Sequence, residues 1–202
     1  MWKWSLDWGE VTPEILVGSC PMAPRDLETI QRRSRISAVL SVQHDDCLAY
    51  WGIDYQQMQA HGSGLGLSMA RSPMRDFDLA DQRRHLPAAV AALASLRAAG
   101  DRIYVHCTAG LGRSPLTVLG YLTWIEGRSP QEAIGLIQQG RPGAVPAWEA
   151  YHGCREELVM RNRARIETRA HERHEADRRC SALENWTAAE TEVLRAVLAT
   201  ME

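Results

Sequence analysis

A cysteine and an arginine stand six positions apart in the sequence, as Cys107 and Arg113, with two glycines between them. A thiolate is a strong nucleophile, and a guanidinium group binds phosphate oxygens through two parallel hydrogen bonds. The apolar residues 103–105 predict a buried strand, and Ser114 followed by proline predicts the start of a helix. A loop between a strand and a helix N-terminus presents backbone N–H groups to an anion. The pattern therefore predicts a phosphate-binding loop with a cysteine at its floor.

The same loop is expected to change the chemistry of the thiol. A free cysteine has a pKa of about 8.5, and a helix N-terminus or a nearby cation lowers it to roughly 3.5–7.5. We therefore interpret Cys107 as a nucleophile that accepts a phosphoryl group. The alternative is a buried, inert cysteine at the end of a core strand, because unpaired cysteines usually behave as small apolar side chains.

Phosphoryl transfer to a thiolate also requires an acid for the leaving oxygen and then a base for the attacking water. Three aspartates precede the cysteine by about thirty residues, namely Asp76, Asp78 and Asp81. The chemistry alone does not choose among them, although Asp81 is also expected to cap a helix predicted over residues 81–99.

The segment His-Cys-x-x-x-x-x-Arg-Ser resembles the signature of the cysteine-dependent protein tyrosine and dual-specificity phosphatases. Its fuller form, Cys-Thr-Ala-Gly-Leu-Gly-Arg, is similar to that of the glucan phosphatases, the laforin and plant starch-excess group. The resemblance extends over roughly residues 10–155 and is carried by segments 15–20, 50–53, 74–78 and 84–87. It implies an α/β fold of the dual-specificity/protein-tyrosine-phosphatase type, in which helices flank both sides of a central, mostly parallel sheet.

The resemblance also implies a role for each matching residue. Cys107 would attack phosphorus, Asp76 would be the general acid, and Ser114 would hydrogen-bond the sulfur. His106 is expected to brace the loop, since an ionised thiol needs no base. The predicted phosphate-binding residues are Thr108, Ala109, Gly110, Leu111, Gly112 and Arg113. This chemistry requires no metal and no organic cofactor.

Three aromatic residues are predicted to bind substrate, namely Phe77, Trp51 and Trp148. For Phe77 the alternative is an anchor in the core, and for Trp148 it is ordinary core packing. The predicted activity is hydrolysis of a phosphomonoester, with phosphorylated glucan as the first choice of substrate and phosphoprotein as the second. An alternative of another class is a non-catalytic phosphate-binding module. A reversible disulfide between Cys20 and Cys107 is a further hypothesis.

The composition describes an ordinary globular protein. The chain has 202 residues, a hydrophobic fraction of 45% and a formal net charge of −2, so no basic excess indicates a nucleic-acid partner. No apolar run approaches 18 residues, so no membrane span is expected. The five cysteines are odd in number and form no C-x-x-C pair, which favours a reducing, cytoplasmic location.

Residues 1–155 are predicted to form the catalytic domain, and the charged residues 156–202 a helical C-terminal extension that docks on it. Within this extension Thr187 and Glu190 have the spacing of a capping box, which predicts the start of an amphipathic helix there.

Local patterns give further predictions. Residues 15–17 and 36–42 are expected to form strands, and residues 61–66, which include three glycines, a flexible loop. The sequence His-Asp-Asp at residues 44–46 is expected to begin a helix rather than to bind a metal. Alternating tryptophans near the N-terminus are expected to pack one face of an edge strand, and the alternative is that they line a sugar-binding surface; they are Trp2, Trp4 and Trp8.

Overall fold

The computed structural model describes residues 3–201, which form a five-stranded sheet with helices on both faces. The strand order is β1-β2-β5-β3-β4. Strand β1 is antiparallel to β2, whereas the other neighbouring strands are parallel. The strands are β1 Trp8–Thr12, β2 Ile15–Gly18, β3 Ala38–Gln43, β4 Ser68–Met74 and β5 Ile103–His106. The predicted α/β fold with a mostly parallel sheet is confirmed.

The helices described within residues 3–201 are α1 Pro24–Ser34, α2 Asp45–Trp51, α3 Tyr55–Gly64, α4 Leu79–Ala98, α5 Arg113–Gly120, α6 Pro130–Gly140, α7 Trp148–Arg161, α8 Arg163–Ala176 and α9 Ala182–Leu198. A π-helical turn, Tyr121–Ile125, continues α5.

Two hydrophobic layers hold the sheet, because successive side chains of a strand point to opposite faces. On one face Val39 and Tyr104 pack with residues of α1, α2 and α3. On the other face Leu40 and Val105 pack with residues of α4 to α7 and of α9. The second layer is the larger one, and it supports the helix that follows the predicted phosphate-binding loop.

The sequence predictions and the structure differ at β4 and at α3. Strand β4 has no counterpart among the predictions, because it is a polar edge strand that contains Pro73; proline is tolerated at a sheet edge but weakens the sequence pattern of a strand. The flexible loop predicted for residues 61–66 is wrong in its first part, since residues 61–64 complete α3.

The start of α4 also differs from the prediction. The Asp78 carboxylate accepts a hydrogen bond from the Asp81 amide at 2.9 Å, so Asp78 caps α4. Asp81 therefore lies inside the first turn of the helix, where its carboxylate accepts a hydrogen bond from the Arg75 amide at 2.7 Å. The helix start predicted at residues 44–46 is confirmed, because His44 caps α2.

In the C-terminal region, helix α7 runs through residue 155, and α8 and α9 form a helical hairpin behind it. The N-cap of α9, Ser181, lies six residues before the predicted cap at Thr187, because Ser181 and Glu184 form the capping box instead. Leu194 and Leu198 of α9 belong to the larger hydrophobic layer. The hairpin is therefore anchored on the same core as the predicted phosphate-binding loop.

Strand β1 lies at the other edge of the sheet, where Trp4 and Trp8 pack against the smaller layer as predicted. Trp2 lies outside the described residues. Among residues 3–201, none of the helices has both the length and the apolar character that crossing a bilayer requires.

Candidate active site

Cys107 directly follows β5, the middle strand of the sheet. Residues 107–112 then form a loop that leads into α5, which begins at Arg113. Pro115 is thus the third helical residue rather than the first, still within the turn in which no backbone N–H needs an intrahelical partner. Because parallel strands end at the same edge, this loop lies beside the carboxyl ends of β2 and β3, where ligands of open α/β sheets bind.

The sulfur of Cys107 lies at the bottom of this loop, where the side chain is 3% exposed. Burial raises the pKa of the thiol, but the Arg113 guanidinium, the Ser114 side chain and the amides of Ser114 and Gly110 outweigh burial and lower it overall. The Ser114 hydroxyl donates to Sγ at 3.4 Å. This environment favours the thiolate, which is the nucleophilic form.

Arg113 is held in place by several acceptors, and its side chain is 1% exposed. Nη1 donates to the Met74 carbonyl at 3.0 Å. Nη2 donates to Thr108 Oγ1 at 3.0 Å and to Asp76 Oδ2 at 2.7 Å. Burial lowers the pKa of the guanidinium, but the negative groups at Cys107 and Asp76 raise it by more than burial lowers it. The pKa is therefore raised overall, and the group stays charged.

Three carbonyl oxygens of the loop accept hydrogen bonds from residues outside it. The Thr108 carbonyl accepts from the Cys20 amide at 2.9 Å, and the Leu111 carbonyl accepts from the Val145 amide at 2.7 Å. The Ala109 carbonyl accepts from Arg141 at 3.0 Å. Since each peptide plane fixes its N–H opposite its C=O, these bonds leave the loop amides free to face an anion above the sulfur.

Gly110 allows the loop to close tightly against β2. Its φ is +72°, which favours glycine, and a Cβ at this position would lie 2.5 Å from the backbone of Gly18. Gly112 differs from it, because its φ is −116° and a Cβ would meet nothing within 4 Å. Gly110 is therefore the glycine whose missing side chain the loop geometry requires.

His106 is buried beneath the loop, and its Nδ1 lies 3.0 Å from the Cys107 carbonyl. Burial, together with the charge of Arg113, lowers the pKa of this imidazole to about 4. A neutral ring in this position fits the expected bracing role and does not fit a general base near neutral pH.

The three candidate acids have different surroundings. Asp76 lies in the loop after β4 and bonds to Arg113, whereas Asp78 and Asp81 are engaged in the cap and first turn of α4. Asp76 is therefore the one whose carboxylate meets Arg113, the predicted phosphate-binding residue. Its neighbour Phe77 has a φ of +57° and is 95% exposed, which excludes the alternative of a core anchor.

The other two predicted substrate contacts are partly buried. Trp148 begins α7 and packs on Tyr151 and His152, with ring centroids 5.6 Å apart in both pairs. Trp51 ends α2 and meets Tyr50 edge-on at 5.3 Å. The structure thus gathers Cys107, Arg113, Asp76, Ser114 and the predicted loop residues at one point, while the two tryptophans lie on elements around it.

Sequence reasoning missed three residues that support the loop. Gln43 Nε2 donates to Thr108 Oγ1 at 3.1 Å, Cys47 Sγ lies 3.5 Å from Arg113 Nη1, and Arg141 joins the Ala109 carbonyl to the carboxylate of Asp7. Only Gln43, a polar residue at the end of an apolar strand, carried a local signal. Among residues 3–201, no group of three His, Cys, Asp or Glu side chains is arranged to hold a metal ion.

Comparisons with known proteins agree with this geometry. Phosphoglucan phosphatase DSP4 (amyloplastic) from Castanea sativa is 30% identical over 165 residues, which cover 81% of this chain and 44% of that protein. Laforin from Mus musculus is 28% identical over 68% of this chain and 45% of its own length. The chain therefore spans less than half the length of these relatives.

Solved structures share the fold. The crystal structure of PTPMT1 superposes with a TM-score of 0.58 at 20% identity and covers 78% of this chain and 98% of that chain. The active form of Tk-PTP gives a TM-score of 0.59 at 23% identity, with 74% and 94% covered. The sequence profile described as "Dual specificity phosphatase, catalytic domain" matches residues 23–153. The chain belongs to this family of cysteine-dependent phosphatases.

Proposed function

We propose that this protein removes phosphate from phosphorylated glucans through a cysteinyl-phosphate intermediate. The similarity to phosphoglucan phosphatases, which includes 30% identity to DSP4, 32% identity over 130 residues to LSF1 (chloroplastic) from Arabidopsis thaliana and 28% identity to laforin, is the observation that carries the choice of substrate. The lowered pKa of Cys107 supports the chemistry.

In the first step the Cys107 thiolate forms an S–P bond while the bond from phosphorus to the leaving oxygen breaks. Arg113 and the loop amides bind the equatorial oxygens, over which charge spreads in the transition state. Asp76, which takes up a proton from solvent when phosphate displaces it from Arg113, gives that proton to the leaving oxygen, which departs as an alcohol.

In the second step water attacks phosphorus and the S–P bond breaks. Asp76, now a carboxylate, takes a proton from the water. The sulfur leaves as a thiolate, and the Ser114 hydroxyl, which donates to it at 3.4 Å, stabilises that charge. Inorganic phosphate is released and the starting protonation states return.

The pair between Asp76 and Arg113 must open when phosphate arrives, because the bound oxygens require the same Nη2 that Asp76 occupies at 2.7 Å. The displaced carboxyl group then lies at the mouth of the loop, next to the leaving oxygen. Asp76 is thus kept close to its point of action by the residue that binds the substrate.

The exposed ring of Phe77 supports a sugar substrate. A ring directly beside the general acid can stack on the apolar face of a sugar while its phosphate occupies the loop. The bond between Val145 and Leu111 fixes residues 141–148 next to the phosphate-binding loop, so Trp148 is proposed as a second sugar contact. Trp51 is proposed as a third, because it lies on the same helix as Cys47, which contacts Arg113.

A phosphoprotein substrate is the second candidate. It is favoured by the 31% identity over 74 residues to the dual specificity protein phosphatase Mpk3 of Drosophila melanogaster. The exposed rim at Phe77 is compatible with an aromatic phosphoester as well as with a sugar, so a direct comparison of substrates is needed.

The test measures phosphate release from solubilised phosphorylated amylopectin and from phosphotyrosine peptides on one preparation. We expect amylopectin to be the better substrate, and Phe77→Ala to lower its kcat/KM by about fivefold, since stacking contacts contribute on the order of 1 kcal/mol. Leu183→Ala, which removes another exposed apolar side chain on α9, is the control and should change nothing. Turnover of the peptides alone would refute the glucan assignment.

A further inference from the structure

A groove lies between α4 and α7, apart from the phosphate-binding loop, and has a volume of about 450 Å³. We call it the arginine groove. The residues that characterise it are Ala80, Arg83, Arg84, Pro87, Glu157 and Arg161.

The arginine groove carries an excess of positive charge. Arg83 Nη2 lies 2.7 Å from one oxygen of Glu157, and Arg161 Nη2 lies 3.7 Å from the other. Arg84 has no acidic partner within 4.0 Å among residues 3–201. One carboxylate therefore faces three guanidinium groups, so that two positive charges are uncompensated.

The floor of the groove also offers unused hydrogen-bonding groups. Arg83 lies against Gly153, where a Cβ would come within 2.7 Å of Nη1, and within the described chain its buried Nε has no hydrogen-bond partner. Pro87 lies inside α4 and has no N–H, so the carbonyl of Arg83, four residues earlier, lacks its helical hydrogen bond. The wall of the groove therefore combines positive charge with groups that lack an internal hydrogen-bond partner among residues 3–201.

The groove begins near the general acid. Ala80 is four residues after Asp76, so their Cα atoms are at most about 14 Å apart. The intervening residues carry Phe77, the exposed ring beside Asp76. A chain-like substrate held in the phosphate-binding loop and on Phe77 can therefore continue into the groove.

We propose that the arginine groove is a second anion site, which binds another phosphate monoester of the same multiply phosphorylated substrate. This rests on the proposed glucan substrate. Arg84 and Arg161 supply the charge for the second phosphate. A substrate with a single phosphate uses only the phosphate-binding loop, so the groove confers a preference for densely phosphorylated glucan.

The first experiment tests the site without any assumption about the substrate. Inorganic phosphate is titrated into the Cys107→Ser protein at constant ionic strength, and the Nε–Hε resonances of Arg84 and Arg161 are followed by NMR. We expect saturable shifts at both arginines and at Arg83, which lines the same groove. In Arg84→Gln/Arg161→Gln the shift at Arg83 should be lost while the shift at Arg113 stays. An absence of saturable shifts at the groove would overturn the proposal.

The second experiment measures KM for a multiply phosphorylated and a singly phosphorylated maltooligosaccharide. Arg84→Gln/Arg161→Gln should raise KM for the multiply phosphorylated oligosaccharide, relative to KM for the singly phosphorylated one, by about fivefold, which is the scale of exposed ion pairs. At about 0.5 M salt the variant and the wild type should show the same KM ratio. Arg25→Gln/Arg32→Gln is the control, because it removes two exposed charges from α1 on the opposite face of the sheet.

The outcomes separate the two proposals. Phosphate binding in the groove without turnover of either oligosaccharide would refute the glucan substrate and leave the anion site in place. Turnover of both oligosaccharides with an unchanged KM ratio in Arg84→Gln/Arg161→Gln would show that the groove takes no part in substrate binding, which would overturn the inference.

Discussion

The carboxylate of Asp76 is paired with Arg113, the guanidinium group proposed to bind phosphate. Its Oδ2 lies 2.7 Å from Arg113 Nη2, and the Asp76 side chain is 36% exposed. Phosphate binding has to break this pair. Removal of the carboxylate in Asp76→Ala should therefore strengthen phosphate binding, even though it removes the general acid.

The size of the effect follows from the exposure of the pair. A hydrogen bond to a charged group contributes about 1.5–3 kcal/mol, and solvent screening at a carboxylate whose side chain is 36% exposed reduces this to about 1 kcal/mol. One kcal/mol corresponds to about a fivefold change in a dissociation constant. We expect Cys107→Ser/Asp76→Ala to bind inorganic phosphate about fivefold more tightly than Cys107→Ser, as measured by calorimetric titration near pH 7.

Asp46→Ala in the Cys107→Ser background is the matched control. It removes one negative charge from the same rim, where Asp46 pairs with Arg75 at 2.8 Å rather than with Arg113. If Asp46→Ala strengthens phosphate binding as much as Asp76→Ala does, the effect comes from overall charge. If Cys107→Ser/Asp76→Ala binds phosphate no more tightly than Cys107→Ser does, then Asp76 does not compete with phosphate for Arg113.

Three further predictions concern the support of the loop. Gly110→Ala should abolish phosphate binding and turnover, because its Cβ would lie 2.5 Å from Gly18, whereas Gly112→Ala should keep both; equal activity of the two variants would contradict this. Since the pKa of His106 is lowered to about 4 from an ordinary 6.5, the unfolded chain binds a proton that the folded one does not. The unfolding free energy should therefore fall as the pH drops from 6.5 toward 4, and in denaturant titrations His106→Asn should show a smaller fall than the wild type. Arg141→Gln should lower kcat/KM about tenfold with the melting temperature nearly unchanged, because it frees the Ala109 carbonyl; a loss of stability alone would show a merely structural role.

The nucleophile, the phosphate-binding arginine and the loop between them could be predicted from sequence because they lie within one short segment. Asp76 was identified only by resemblance, since Asp78 and Asp81 carry the same chemistry. Asp78 caps α4 and Asp81 lies in its first turn, and these roles depend on where α4 begins. The role of Arg141 could not be predicted, because its contact with Ala109 joins residues that are far apart in sequence.

Competition between equivalent local signals explains the error at α9. Two capping-box patterns occur there, at Ser181 with Glu184 and at Thr187 with Glu190, and local rules do not rank them. The structure uses the first. Glu190 is instead paired with Arg155 of α7, at 2.5 Å with its side chain largely buried, which is a tertiary contact that no local pattern reveals.

The central claim is that the sulfur of Cys107 is held as a thiolate by Arg113, Ser114 and the loop amides. The most direct test is the pH dependence of alkylation of Cys107 by iodoacetamide, followed by peptide mass spectrometry. We expect the midpoint for Cys107 to lie well below the ordinary thiol value of about 8.5, and to move upward in Ser114→Ala. A midpoint at or above 8.5 in the wild-type protein would contradict the account.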